Sequence, residues 1–238
     1  MEVIRFQLEG VLNSFRIPFF KNYHKTLLAP PKTAVIGFIV NIAGGWQRDY
    51  FYLLNSRKIQ VSVVIENLAG KGKELWSYRS LEKKNRGKKI IRREKLLSPS
   101  YRIYLYLERE VGEWKEKIWE ALQNPLRPPA LGMDDELVKI GEVSRLNLLP
   151  TFSNRIDSVA MVGEPNYKVF LIPQKENLPV ELPTPHLLPV EFEAYRENTR
   201  IPKEKRRELF QIEGLNCQLE IEGEGYRDPE LGYTLYFY

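Results

Sequence analysis

Apolar and polar residues alternate with a period of two over 3–15, "VIRFQLEGVLNSF". The same alternation, rich in β-branched and aromatic side chains, returns in "KIQVSVVIENLAG" at 58–70 and "SYRIYLYLE" at 100–108. Successive side chains of an extended chain point to opposite faces, so each segment predicts a strand. Two other segments carry helical spacing. "AVIGFIVNIAGG" at 34–45 is a smooth apolar run that stops at paired glycines, with Thr33 placed as its N-cap and Ala34, Gly37 and Ala43 small enough for close packing on a sheet. "GEWKEKIWEALQNP" at 112–125 sets Trp114, Ile118, Trp119 and Leu122 on one face and ends at Pro125. Trp114 and Trp119 are expected in the core.

Between the second and third strands lies a highly charged stretch with "NRG" at 85–87 as a turn signal, which predicts a protruding β-hairpin over about 71–97. A fourth strand is expected within "KIGEVSRLNLLP" or "IDSVAMVG". The order strand, helix, strand, hairpin, strand, helix, strand is βαββαβ. The expected class is α+β, a ferredoxin-like domain of the type RNA-recognition domains also use, over residues 1–150. Residues 151–238 read as a β-rich region packed on the first, with short strands in "YKVFLIP", "PVEFEAYRE", "NCQLEIEGEGY" and "GYTLYFY". Pro173, Pro179, Pro183, Pro185 and Pro189 are expected to break the connections between them.

The 238 residues are 43% hydrophobic and 28% charged, which is globular composition. The longest apolar run contains Asn41 and is too short to span a bilayer, so no membrane association is expected. With Cys217 alone, no intrachain disulfide can form, and a cytoplasmic setting is expected. The net charge of +5 is unevenly spread. Residues 71–95 hold eleven basic and three acidic residues, a net of +8, whereas the other 25 basic and 28 acidic residues sum to −3. A polyanion is drawn to that segment rather than to the whole surface. Leu75, Trp76, Tyr78, Leu81, Ile90, Ile91, Leu96 and Leu97 are interleaved with the charges, a mixture that suits a nucleic-acid backbone and stacked bases better than a solvated loop.

A second anion-binding feature is "PPKTA" at 30–34, which brings an extended approach, a cation and a hydroxyl to a helix start whose first amides lack internal partners. Catalytic motifs are sparse. The chain contains His24 and His186 and no HExxH, CxxC, Walker or GxSxG pattern, and neither a metal site nor a cofactor is expected. "NYHK" at 22–25 is the exception: Tyr23, His24 and Lys25 are the residue types of metal-independent RNA cleavage, with His24 as base and Lys25 stabilising the phosphorane. Neighbours on an extended segment point apart, which opposes that use. The tyrosines of "SYRIYLYLE" leave two options, stacking bases on an open sheet face or packing inside.

"FRIPFFKNYHKTLLAPPKTAVIGFIVNIAGG" at 15–45, followed by "YRIYLYLE" and "LQNPLRPPALGMDDELVKI", resembles in order the landmarks of the CRISPR-associated Cas-five family, the RAMP-type subunits of type I Cascade complexes. The resemblance covers roughly 3–143. It implies a ferredoxin-like domain with a hairpin thumb at about Lys71 to Leu97, binding of the 5′ handle of a CRISPR RNA, and contacts to the Cascade backbone and large subunits. It places the family's helix start on Pro31, Lys32, Thr33 and Gly37 and its "LG" turn on Leu131 and Gly132. The RNA-processing type I-C branch is expected to use a Tyr and a Lys-His pair around the hairpin. Neither histidine lies there and no Lys-His dipeptide occurs, so a non-catalytic member from a type I-B or I-A system is expected.

The candidate RNA-contacting residues fall into four groups. Arg16, Phe19, Lys21 and Tyr23 precede the first helix. Lys32, Thr33, Ala34 and Gly37 form its start, with Trp46 beyond its end. Lys71, Lys73, Arg79, Lys83, Lys84, Arg86, Lys88, Lys89, Arg92 and Arg93 belong to the hairpin, and Gly132 to the turn. A metal-independent endoribonuclease and a protein-interaction scaffold without RNA contact are the competing functions.

Overall fold

The computed structural model describes residues 1–20, 22–80, 87–171, 180–196, 199–202 and 208–238. Strands of four or more residues and the α-helices are labelled in chain order. The N-terminal portion contains β1 (Glu2–Gly10), α1 (Lys32–Ile42), α2 (Gln47–Ser56), β2 (Ile59–Asn67), β3 (Gly70–Ser80), β4 (Gly87–Leu97), β5 (Ser100–Leu107), α3 (Gly112–Gln123) and β6 (Val138–Asn147). The remainder contains β7 (Lys168–Leu171), β8 (Glu181–Pro189), β9 (Phe192–Arg196), β10 (Thr199–Pro202), β11 (Glu208–Leu215) and β12 (Cys217–Glu220). The architecture is mixed α+β, rich in sheet and poor in helix. The fourth predicted strand is β6, from the first of its two expected segments.

The principal sheet has the order β2-β5-β1-β6, antiparallel throughout. Alternation along β1 turns Ile4, Phe6 and Leu8 to one face, where they join Val35, Phe38 and Ile39 of α1 and Trp114, Ile118 and Leu122 of α3 in one apolar cluster. Phe6 and Phe38 stack with ring centroids 6.3 Å apart. Trp114 is buried as expected, while Trp119 is half-buried under Arg145, 4.4 Å from its ring. Gly37 faces α2 rather than the sheet: a side chain there would meet the Tyr50 ring at 3.8 Å. The helix α2 was not visible in the apolar periodicity. Its local signal is Asp49, whose carboxylate accepts the Trp46 amide at 2.7 Å and closes the first turn.

The opposite face of the sheet is also closed, which decides the role of the alternating tyrosines. Val3, Val64, Tyr104, Leu146 and Leu235 form a second cluster there, roofed by Tyr226, Tyr233 and Phe237. Arg5 and Tyr104 both reach the buried carboxylate of Asp228, at 2.9 and 2.8 Å. Packing, not base stacking, occupies this face.

The strands β3 and β4, which fall on the arms of the expected hairpin, pair antiparallel in register from Gly70 opposite Leu97 to Ser80 opposite Gly87. The expected turn, including "NRG", falls mostly on 81–86, outside the described residues. The other edge of β4 carries Leu12–Asn13 antiparallel and Tyr23–His24 parallel. The hairpin is therefore rooted in the segment that leads from β1 to α1.

One expectation about the C-terminal residues is corrected. Pro183, Pro185 and Pro189 do not interrupt a connection; they lie in the nine-residue strand β8, paired with β11. The strand β8 is a sheet edge, where a residue without an amide hydrogen loses no ladder bond if that position faces outward, and a register shift between Glu181 and Thr184 absorbs the irregularity. Pro173 and Pro179 lie outside the described residues.

Candidate nucleic-acid interface

The start of α1 differs from its sequence reading by two residues. Pro31, extended at φ −68° and ψ 160°, occupies the N-cap position, and its carbonyl accepts from the amides of Ala34 at 2.8 Å and Val35 at 3.1 Å. Thr33 is thus inside the first turn and does not cap it. The ladder begins as soon as the second proline ends, which leaves the Thr33 amide ahead of the intrahelical bonds. The Lys32 ammonium is held by the Tyr238 main-chain oxygen at 3.0 Å.

The approach to this helix is fixed from the C-terminal strands. Glu213 on β11 accepts from the amides of Leu28 and Ala29, at 2.7 and 3.1 Å, while Tyr101 donates to the Leu28 carbonyl at 2.8 Å. Beside the helix start opens a cavity of about 400 Å³. Its walls bring together Arg16, His24, Thr33 and Ala34, the hairpin's Trp76 and Arg93, Gly132 and Met133, and from the C-terminal residues Phe192 and Arg200. Lys32 also lines it, and no carboxylate does so among the described residues. Its lining mixes apolar side chains with cations, and its size is in the range of small-molecule sites.

Strand alternation divides the hairpin's charge between two faces. Trp76, Tyr78, Lys89, Ile91, Arg93 and Lys95 share the inner face, and the Arg93 guanidinium lies 4.3 Å from the Trp76 ring and pairs with Glu74. Lys73, Leu75, Arg79, Lys88, Ile90 and Arg92 share the exposed outer face. Lys71 is spoken for by Glu181 at the hairpin base. Among the described hairpin cations, only Arg93 reaches the cavity. Lys21, Lys83, Lys84 and Arg86 lie outside the described residues.

Other candidates are dispersed. Phe19 is exposed beside this region, but Gly37 packs on α2, and Trp46 sits past the far end of α1 with Arg127 over its ring at 4.8 Å. An eleven-residue helix is ~16 Å long, so Trp46 is remote from the helix start. Tyr23, His24 and Lys25 diverge. The Tyr23 hydroxyl is engaged by Glu94, and burial followed by that carboxylate pushes its pKa up to about 12. Lys25 lies over Phe20 at 5.7 Å. His24 alone of the three lines the cavity, with its pKa lowered by burial and then by Arg16 and Arg93, which favours the neutral imidazole. Cys217 is buried, and burial raises its thiol to about 11. Among the described residues no group of three or more His, Cys, Asp or Glu could hold a metal, and no helix is long and apolar enough to cross a membrane.

Beyond the candidate residues, the cavity walls include Trp76, Met133, Phe192 and Arg200. Trp76 stood within the flagged hairpin. The others arrive through tertiary packing and leave no local signal.

A family model described as CRISPR-associated protein (Cas_Cas5) matches residues 3–186. No curated protein matches the chain. Among solved structures, one described as a Cas protein aligns at 21% identity over 56% of this chain and 57% of its own, with a TM-score of 0.39. The chain thus spans little more than half of that structure's length. A chain from a CRISPR RNA-guided surveillance complex aligns at 15% identity over 96% of this chain and 95% of its own, with a TM-score of 0.49. A CRISPR protein from Archaeoglobus fulgidus aligns at 16% identity over 99% and 98%, with a TM-score of 0.46.

Proposed function

The chain belongs to the CRISPR-associated protein (Cas_Cas5) family, and from that premise we propose that it is a non-catalytic RNA-binding subunit of a type I Cascade complex, of subtype I-B or I-A. In this role it holds the 5′ handle of the CRISPR RNA and caps one end of the complex, in contact with the backbone and large subunits. The β2-β5-β1-β6 sheet with α1 and α3 on one face is the ferredoxin-like arrangement, and β3–β4 is its thumb. Residues 1–150 supply that domain and 151–238 the β-rich region packed on it.

The observation that carries the reading is the cavity at the start of α1. Arg16, Arg93 and Arg200 face the same space as the first turn of a helix, with no carboxylate among the described lining residues. The positive end of the helix and the guanidinium groups favour phosphate there, and guanidinium forks match its oxygens. Trp76 and Phe192 add flat apolar surface for a base.

The Tyr23, His24 and Lys25 group expected for cleavage is spread apart. A neutral His24 is a competent base, but the Tyr23 hydroxyl is held by Glu94 and Lys25 lies against Phe20. Purified protein incubated with repeat RNA in EDTA is therefore expected to leave it intact while binding it. Loss of Arg16 as Arg16→Ala should weaken binding and lower the salt slope by ~0.7, the contribution of one phosphate contact on a single strand. Cleavage that disappears in His24→Ala would establish the endoribonuclease instead. Failure of the protein to bind repeat RNA at any salt would favour the scaffold.

A further inference from the structure

Glu136 does not line the cavity, yet three of the cavity's walls meet on its carboxylate. It is 2% exposed. Oε2 accepts from the Ser14 amide at 2.7 Å and the Met133 amide at 3.0 Å. Oε1 accepts from the Ser14 hydroxyl at 2.6 Å and from the buried ammonium of Lys95. Ser14 precedes Arg16, Met133 follows Gly132, and Lys95 lies two residues from Arg93 on the same face of β4.

We propose that Glu136 is the positioning residue of the interface: by clamping Ser14, Met133 and Lys95 together it fixes where Arg16, the Gly132 turn and the Arg93–Trp76 pair stand before RNA arrives. The assignment rests on the RNA-binding reading above for its consequence, but the clamp itself is independent of it. Gly132 is explained by the same contact. Its φ is +108°, and a side chain there would come within 2.2 Å of Oε2 and 2.6 Å of the Ser14 carbonyl, so only glycine lets the turn close over the carboxylate. A buried carboxylate accepting four donors is satisfied and rigid, whereas its loss leaves the buried Lys95 ammonium only the more distant Glu74, at 3.8 Å. Pre-set geometry of this kind removes the ordering cost that a loose site would meet on binding.

The test compares the full chain with Glu136→Gln and with Glu136→Gln/Lys95→Met, which removes both charges together and serves where the single variant fails to fold. The probe is a fluorescein-labelled single-stranded RNA of the repeat sequence, and the comparator is Leu146→Ala, a core change under the opposite sheet face. The clamp predicts a dissociation constant about tenfold higher with an unchanged salt slope, since no phosphate contact is lost. It also predicts faster hydrogen exchange at Ser14, at Met133 and along β4, with β1 and β5 unaltered. Leu146→Ala, brought to the same distance below its melting temperature, should bind within twofold of the parent. The proposal is overturned if the Glu136 variants bind no worse than Leu146→Ala under that matching, or if exchange at Ser14 and Met133 is unchanged. Absence of RNA binding by the parent protein overturns the functional reading, and the exchange pattern then decides the clamp alone.

Discussion

Glu213 shows how a single side chain far along the sequence shapes the interface. Its carboxyl is fully buried, and burial outweighs the hydrogen bonds from Leu28, Gln211 and Ala29 to raise its pKa from 4.5 to about 7. The folded protein therefore binds a proton between pH 4.5 and about 7 that the unfolded chain has released. The stabilisation from this group is complete below pH 4.5 and is lost as pH rises through 7, by at most ~3 kcal/mol. His24 and His186, whose pKa values burial lowers from 6.5, act in the opposite sense: their contribution falls as the solution is acidified below 6.5. Glu213→Gln isolates what the carboxyl contributes. Its urea midpoint minus that of the parent should become more positive from pH 5 to pH 8, and a flat difference would refute the assignment. None of this was legible in the sequence, because "FQIEGLN" at 210–216 gives no hint that its glutamate meets residues 28 and 29. Thr33, by contrast, was singled out from local chemistry, since a helix start is written in adjacent residues, whereas Gly132 came from the family resemblance.

At the scale of elements, the hairpin was legible in extent but not in orientation. Charge density located it, and the "NRG" turn signal predicted two arms, yet only the register shows that Arg93 faces inward while Lys73, Arg79, Lys88 and Arg92 face out. The two faces should behave differently. Neutralising Lys73, Arg79, Lys88 or Arg92 is expected to weaken RNA of any sequence alike and to lower the salt slope by ~0.7 for each residue that meets a phosphate. Fluorescence anisotropy over a salt series measures this, and slopes unchanged in all four variants would remove the outer face from RNA binding. The helices α1 and α3 were visible through their apolar spacing. The helix α2 was hidden because its first turn is polar and its buried side, Leu53 and Leu54, is short. The strand β8 was misjudged because proline content reads as a breaker, and only its place at a sheet edge makes three prolines compatible with pairing.

For the molecule as a whole, the decisive fact is that residues beyond 150 finish what the first half begins. They roof one face of the principal sheet and supply Phe192 and Arg200 to the cavity. Asp228 is the most concentrated link. Burial alone would raise its pKa, but the amides of Leu231 and Glu230 together with Arg5 and Tyr104 outweigh that and hold it below the usual carboxylate range. Its stabilisation is present above the unfolded pKa and disappears as pH falls. Asp228→Ala removes the buried partner of Arg5 and Tyr104, leaving Arg5 only Glu230 at 2.6 Å, and should cost up to about 3–5 kcal/mol in urea unfolding at pH 7. A fragment of residues 1–150 is likewise expected to lack cooperative unfolding, because one face of its sheet is left bare. Sequence periodicity could not show this dependence, since the short strands of 151–238 pair with one another and with residues far away. The central claim is that RNA docks where the start of α1 meets the inner face of the hairpin. Ultraviolet cross-linking of repeat RNA to the full chain, followed by mass spectrometry of the adducts, tests it most directly. Adducts on Phe19, His24, Trp76 or Met133 are predicted; adducts confined to Trp46, Phe152 or residues 160–171 would contradict it.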